Sequence, residues 1–317
     1  MKILFTVCNR TNLAHALVLA DSARLHQPDS AFYVCWIDSV PLNNLPAHIN
    51  LLTADQANFP AWNAMQQEYF DYELPAACRP WFALELLRLH ENCTRLTFLS
   101  PSVFLNAPFD EVVSSEATFF LTVNIHKPLP HSRFLDDKRI LNAGMFHSGS
   151  WTLKPSETTL RVLNWWAERT ADRARFDLCN GMNTDQLWLN YVPVWVQETT
   201  QVSHAGWHYG LNSVLNRNLE IGNGQYLVDR KPLVSLDFAG LDFFDPIWSD
   251  HIGLLSHNKT FKKLFADYRV KVEEKKKMHG VKGFPEYGKV SEIKENRLFR
   301  NKFAKRLKAV STYIDQF

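Results

Sequence analysis

Residues 2–38 read KILFTVCNRTNLAHALVLADSARLHQPDSAFYVCWID, and the fold class follows from this stretch. Lys2–Cys8 is an unbroken apolar run, short and β-rich enough for a strand buried on both faces. Asn9 to Asn12 is a polar break. Leu13, Ala16, Leu17, Ala20 and Ala23 then recur at helical spacing, and Pro28 follows the helix. Ala31–Ile37 is a second buried strand, closing on Asp38. A strand, a helix and a second strand in this order predict parallel neighbours in a sheet covered by helices.

Further along, Ile49–Leu52 reads as a short strand, Leu84, Leu87 and Leu89 mark a helix after Pro80, and Arg95–Leu99 is another strand. After Pro108 the alternation loosens. Thr118–Asn124 and Leu233–Phe238 read as strands, Ser156–Thr170 as an amphipathic helix carrying Trp165 and Trp166, and Thr184–Tyr191 as a short helix. The expectation is one α/β domain over 1–260, its sheet continued by antiparallel strands. A basic extension follows over 261–317, in which Lys275-Lys276-Lys277 and Gly280–Gly288 read as a solvated loop. Arg297 to Phe317 then spaces Phe303, Leu307, Val310 and Ile314 among Lys and Arg. That pattern suits a basic amphipathic helix, lying on an anionic membrane or docked on the body with its charges in water.

A chain of 317 residues, 46% hydrophobic and 13% aromatic, has the material for a large core and is not a disordered polymer. Five scattered cysteines, none in a CxxC pair, argue against a disulfide framework or a zinc ribbon and for a reducing compartment. With no secretory leader and no span-length apolar run, the chain reads as cytoplasmic. Between Lys262 and Lys308 stand sixteen Lys and Arg against six Asp and Glu, on a chain whose net charge is +2. The body is therefore acidic and the basic character belongs to the tail. No motif points to nucleic acid.

The first glycine is Gly144. No glycine-rich turn can cradle phosphate after the first strand, and neither GxGxxG nor GxxxxGK[ST] occurs. A dinucleotide dehydrogenase and a P-loop NTPase are excluded on that ground. A nucleotide on this sheet needs strand-end residues for base and ribose, and cations for its phosphates.

In order and spacing, several segments between Met1 and about Pro246 resemble bacterial glycosyltransferases of the GT-A fold related to glycosyltransferase family 8. They are Lys2–Asn9, Leu13 to Ser22, Tyr33–Asp38, and Tyr72-Glu73-Leu74 with Cys78-Arg79-Pro80-Trp81-Phe82. Asn142-Ala143-Gly144, His147-Ser148-Gly149, Trp165-Trp166, Thr184-Asp185-Gln186 and Leu233–Gly240 follow. The resemblance implies a nucleotide-sugar donor, UDP-linked by preference, and a glycan or lipid-linked acceptor. Thr6, Asn9 and Asp38 would meet the nucleoside, Arg79 the phosphates, and Asn142 the donor. Asp185 and Gln186 would line the sugar pocket, with Asp185 binding a sugar hydroxyl or assisting the acceptor. Without the resemblance, Asp185 reads as a carboxylate in the first turn of a short helix.

Departures from the family cluster at the donor site. The family's Asp-x-Asp, which holds Mn²⁺ or Mg²⁺, is here Ser100-Pro101-Ser102, and hydroxyls are poor ligands for a hard divalent ion. The late-strand His is Asp237, Gly-Tyr-Asn is Gly206-Trp207-His208, and an Asn after an aromatic is His147. The expectation is a transferase without a metal cofactor. Arg79 leads as the replacement cation, with Lys127, Arg139 and Arg217 behind it. His147, His204 and His208 would serve as donors to the leaving group. A non-catalytic binding protein and a metal-dependent enzyme using Asp237 are the alternatives. Trp165 and Trp166 read as core.

Overall fold

The computed structural model describes residues 1–290 except 58 and 132–134, and beyond 290 only 303, 306, 307, 309–311 and 313–315. Strand β1 (Lys2–Cys8) leads through helix α1 (Leu13–His26) to β2 (Ser30–Trp36) and β3 (Ile49–Thr53). Helix α2 (Leu74–Leu89) precedes β4 (Arg95–Leu99) and the short β5 (Val103–Leu105). Then come β6 (Phe119–Val123), α3 (Asp137–Ala143), β7 (Phe146–Leu153), α4 (Glu157–Thr170) and β8 (Thr199–Val202). Strand β9 (Ser235–Asp237) and helix α5 (Lys259–His279) follow. Seven strands form one sheet in the order β8-β6-β7-β4-β1-β2-β3. β7 runs antiparallel to β4 and β6, and the other pairs are parallel. The expected α/β class with a mixed central sheet is the one found.

Alternation along β1 builds a core on each face of the sheet. Ile3, Phe5 and Val7 join Phe82 of α2, Phe98, Trp151 and Trp166. Leu4 and Cys8 point the other way, toward Leu17 of α1, Val34 and Trp36. β9 pairs with β5 at the edge of this second layer.

Two expectations fail for physical reasons. Helix α2 starts at Leu74 rather than after Pro80, which lies inside it. Pro80 forfeits one backbone bond, and full burial of Ala77, Cys78, Phe82, Ala83 and Leu86 offsets that loss. Lys275–Lys277 are not loop but the last turns of α5, whose Phe261, Tyr268 and Val272 are buried in a third apolar cluster. Lys275 also pairs with Asp21 of α1 at 2.6 Å. Residues 280–289 carry no regular element yet lie against the body. Tyr287 packs on Trp62, and Lys289 donates its backbone N–H to Tyr69 and accepts from Asp71. The expected division at residue 260 falls inside α5. The expected basic helix from Arg297 lies for the most part outside the described residues.

Candidate active site

A cleft of about 270 Å³ opens beyond the carboxyl ends of β1 and β4, where parallel sheets present loops to ligands. Its walls are the start of α1, α2 at Arg79, the turn Ser100-Pro101, β7 at His147–Gly149, the turn at 183–186 and the late segment 239–248. Among the described residues Arg79 is the one Lys or Arg on its wall.

Arg79 is held before any ligand arrives. Its Nη1 donates to Asp185 Oδ1 at 2.9 Å, to Oδ2 at 3.2 Å and to Ser148 Oγ at 2.9 Å, and the guanidinium stacks over Phe98. Asp185 is fully buried, and burial pushes its carboxyl upward while Arg79 and Ser148 pull it back. Trp166 Nε1 donates to the Asp185 carbonyl, so this core ring also fixes the turn. The turn itself corrects an expectation. Thr184 has a left-handed backbone at φ 48°, and the 3₁₀ segment begins only at Leu187, so Asp185 is not in a helix. Gln186 bridges, accepting from the Ser148 N–H and donating to the Ala143 carbonyl.

Around Ser100 and Ser102 the buried side chains bond one another. Ser100 Oγ and Ser102 Oγ are 3.0 Å apart, and Ser102 donates to Asp237 Oδ1 at 2.7 Å. The Ala239 N–H also reaches Oδ1. The other oxygen, Oδ2, faces His147 Nε2 at 3.6 Å and His208 Nε2 at 3.3 Å, with the two rings 4.4 Å apart. These three buried residues bring potential ligand atoms within 4.8 Å of one another. In this arrangement His147 turns no lone pair toward the other two. His147 Nδ1 accepts the Gly149 N–H at 2.9 Å, so the neutral ring carries its proton on Nε2. A ligating imidazole is arranged the other way, lone pair to the metal and N–H outward to an acceptor. Burial, His208 and Arg79 together lower the His147 pKa to about 3 despite Asp237, which keeps the ring neutral. Burial would raise the Asp237 carboxyl, but His208, His147 and Ser102 outweigh it and hold it below the usual carboxylate range.

His208 sits at φ 54°, in the left-handed region, and neither of its ring nitrogens completes a hydrogen bond. Gly149 has a packing reason: an added Cβ would stand 2.6 Å from Cε1 of the His147 ring.

No protein-family model matches this chain, and no curated protein sequence does. Among solved structures, that of galactosyltransferase LgtC in complex with donor and acceptor sugar analogs is similar. It shares 12% sequence identity at a TM-score of 0.44, covering 86% of this chain and 100% of that one.

Of the residues expected at the site, Arg79, Ser100, His147 and Gln186 line the cleft, with Asp185, Ser102, Asp237 and His208 directly behind them. Five others stand elsewhere. Asn142 is exposed on α3, off the cleft wall. Thr6 is buried inside the sheet with an unbonded hydroxyl, and its neighbour Val7 forms the wall. Asn9 ties its own loop, donating to the Asp71 carbonyl and accepting from the Thr11 N–H and hydroxyl. Asp38 is consumed by Arg10, whose Nη2 lies 2.5 Å from Oδ1 and Nε 2.8 Å from Oδ2. His204 is at a different hollow.

The secondary cations are also away from the cleft. Lys127 pairs with Asp229 and Arg139 with Asp250, while Arg217 bonds the Ala205 and Trp207 carbonyls. Sequence reasoning missed Thr11, Asn12 and His15 at the start of α1, and Asp71, Asp242 and Asp245. Its one available signal was local: Asp245 accepts from the N–H groups of Ile247 and Trp248, as an Asp-Pro turn favours. Trp166 is core, as expected, whereas Trp165 is only partly buried.

Proposed function

We propose that this chain is a GT-A-type glycosyltransferase that moves a sugar from a nucleotide-linked donor to a hydroxyl acceptor, without a divalent ion at Ser100–Ser102. The observation that carries this reading is convergence. Segments that resemble the family, scattered from residue 79 to residue 237, meet at one cleft, and the departures from the family, Ser100, Ser102, His147, His208 and Asp237, cluster there around the Asp237 carboxylate.

On this reading the donor's leaving phosphate group lies against Arg79, whose preset guanidinium stabilises charge as the glycosidic bond breaks. Asp185 holds that guanidinium in place and Gln186 shapes the wall. His147 is neutral and keeps its Nε2 proton beside Asp237, so the pair presents a fixed polar wall in place of an ion. UDP is the carrier that the resemblance favours, and a glycan or lipid-linked hydroxyl is the acceptor. A cytoplasmic location and contact with an anionic membrane surface through the C-terminal residues belong to the same reading.

A panel of nucleotide sugars scored by thermal shift, with Mn²⁺ and with excess chelator, tests it. A ligand at 100 times its Kd adds about 2.7 kcal/mol. A UDP-sugar should raise the melting temperature equally in both conditions. A rise confined to Mn²⁺, or none with any nucleotide sugar, would sink the reading. One observation favours a second reading, binding without transfer: both Asp185 oxygens are already engaged by Arg79, leaving no exposed carboxylate there. Donor binding with no hydrolysis or transfer over a broad acceptor screen identifies that case.

A further inference from the structure

Beside the cleft lies a second hollow of about 300 Å³, and the two share Asn183 and Thr184 as a common wall. Trp188 and Tyr191 line this hollow, on the 3₁₀ segment Leu187–Tyr191 that runs into the short helix Val192–Trp195. Trp165 of α4 is the hub of this group. Its ring meets Trp188 at 5.8 Å, Tyr191 at 5.6 Å and Trp195 at 4.5 Å, while Tyr191 and Trp195 stack at 4.9 Å. Arg169 covers another part of the Trp165 ring. Of the two rings on the hollow, Tyr191 is 48% exposed and Trp188 is half-buried.

Rings locked against one another offer a large, rigid, amphipathic surface with little rotamer entropy left to lose. Thr184, Asn190 and Arg173 line the hollow beside them, Asn190 keeping its amide NH₂ while its Oδ1 accepts the Met145 N–H, and Asn183 gives its own amide N–H to the Ala143 carbonyl. Aromatic rings beside hydrogen-bonding groups suit a sugar ring, which has C–H groups on its face and hydroxyls on its rim. Position narrows the choice further. An attacking hydroxyl must come within roughly 3–3.5 Å of the donor's reacting carbon. An acceptor site must therefore abut the donor cleft, and this hollow does.

Building on the transferase reading above, we infer that the Trp188–Tyr191 hollow binds a saccharide ring of the acceptor. The two substrates would then meet over the shared edge at Asn183 and Thr184, with the Asp185 carboxylate turned toward Arg79.

Saturation-transfer NMR with lactose, maltose, cellobiose and chitobiose tests this on the full chain. The expected result is transfer to the ring C–H protons of at least one disaccharide. Tyr191→Ala, at an exposed position, should cut that transfer severalfold, and Trp188→Ala should abolish it. Folding of each variant is checked by its melting curve, and any nucleotide-sugar thermal shift should be unchanged in both. Failure of all four disaccharides to receive saturation overturns the inference. So does transfer that is unchanged in both variants, or a dimer seen by sedimentation that Tyr191→Ala dissolves, since the face would then be a subunit interface. The donor reading fails separately, by the absence of a nucleotide-sugar shift.

Discussion

Replacing Asp185 by Asn removes one charge from a pair almost wholly out of water: Asp185 shows no exposed side chain and Arg79 only 15%. The pair is weak evidence for stability while intact, because desolvation opposes attraction, but breaking it strands a cation. Asp185→Asn should lower stability by about 3 kcal/mol, read from the urea unfolding midpoint. Gly149 invites a prediction of opposite sign from the usual rule. At a compatible site Gly→Ala stabilises by several tenths of a kcal/mol through the unfolded chain. Here the new methyl would meet two atoms of the His147 ring at 2.6 and 2.7 Å. Gly149→Ala should therefore destabilise by about 1–3 kcal/mol and expel His147 from its place beside Asp237. Calorimetric melting, with a proton NMR probe of the His147 ring, checks both parts.

At the scale of elements, α5 is fastened to α1 by a buried polar contact whose titration has a definite sign. His15 Nδ1 lies 2.7 Å from the Tyr268 hydroxyl, with Asp242 near its other nitrogen and Lys276 and Glu273 contributing from α5. Burial, opposed by Asp242, lowers the His15 pKa to about 4. The unfolded chain, near the ordinary 6.5, thus binds a proton that the folded chain refuses between these values, and stability falls as pH drops from 6.5 toward 4. Going from pH 7 to pH 5 should cost on the order of 2 kcal/mol from this group alone. In His15→Gln the urea midpoint should move less over that range, and an unchanged pH slope would remove His15 from the account. Elements were legible where burial is two-sided, since β1 and β2 announce themselves as seven-residue apolar runs. They were illegible where tertiary contact overrides composition. Lys275–Lys277 look like loop until Tyr268 and Val272 bury the opposite face of the same helix, and Pro80 looks like a boundary until its neighbours are counted as core.

For the molecule as a whole, the site was legible in part because strand ends converge wherever a parallel sheet is built, so Ser100 could be placed from its position after a strand, whereas Arg79, on α2, was reached only through the resemblance. Asp38 could not be placed, because its partner Arg10 is 28 residues earlier and only the sheet brings them together. Asp242 and Asp245 were missed for a related reason: residues 239–248 reach the cleft by a fold-back that leaves no periodic trace. Charge at this scale yields the last prediction. The basic excess after Lys262 is not uniform in its availability. On α5, Lys275 is paired with Asp21, and Lys276 is within reach of Glu273 and Asp242, so part of it is neutralised internally. An anionic surface attracts what remains, at about 1 kcal/mol per nearby Lys or Arg and only within a Debye length. If the C-terminal residues hold the protein on membranes, a chain ending at residue 290 should leave phosphatidylserine vesicles in a flotation assay while keeping its melting temperature, because α5 is intact. Lys275→Ala should float as before. Retention of the shortened chain on vesicles would place the membrane contact on the body instead, and salt that fails to weaken flotation would exclude an electrostatic origin altogether.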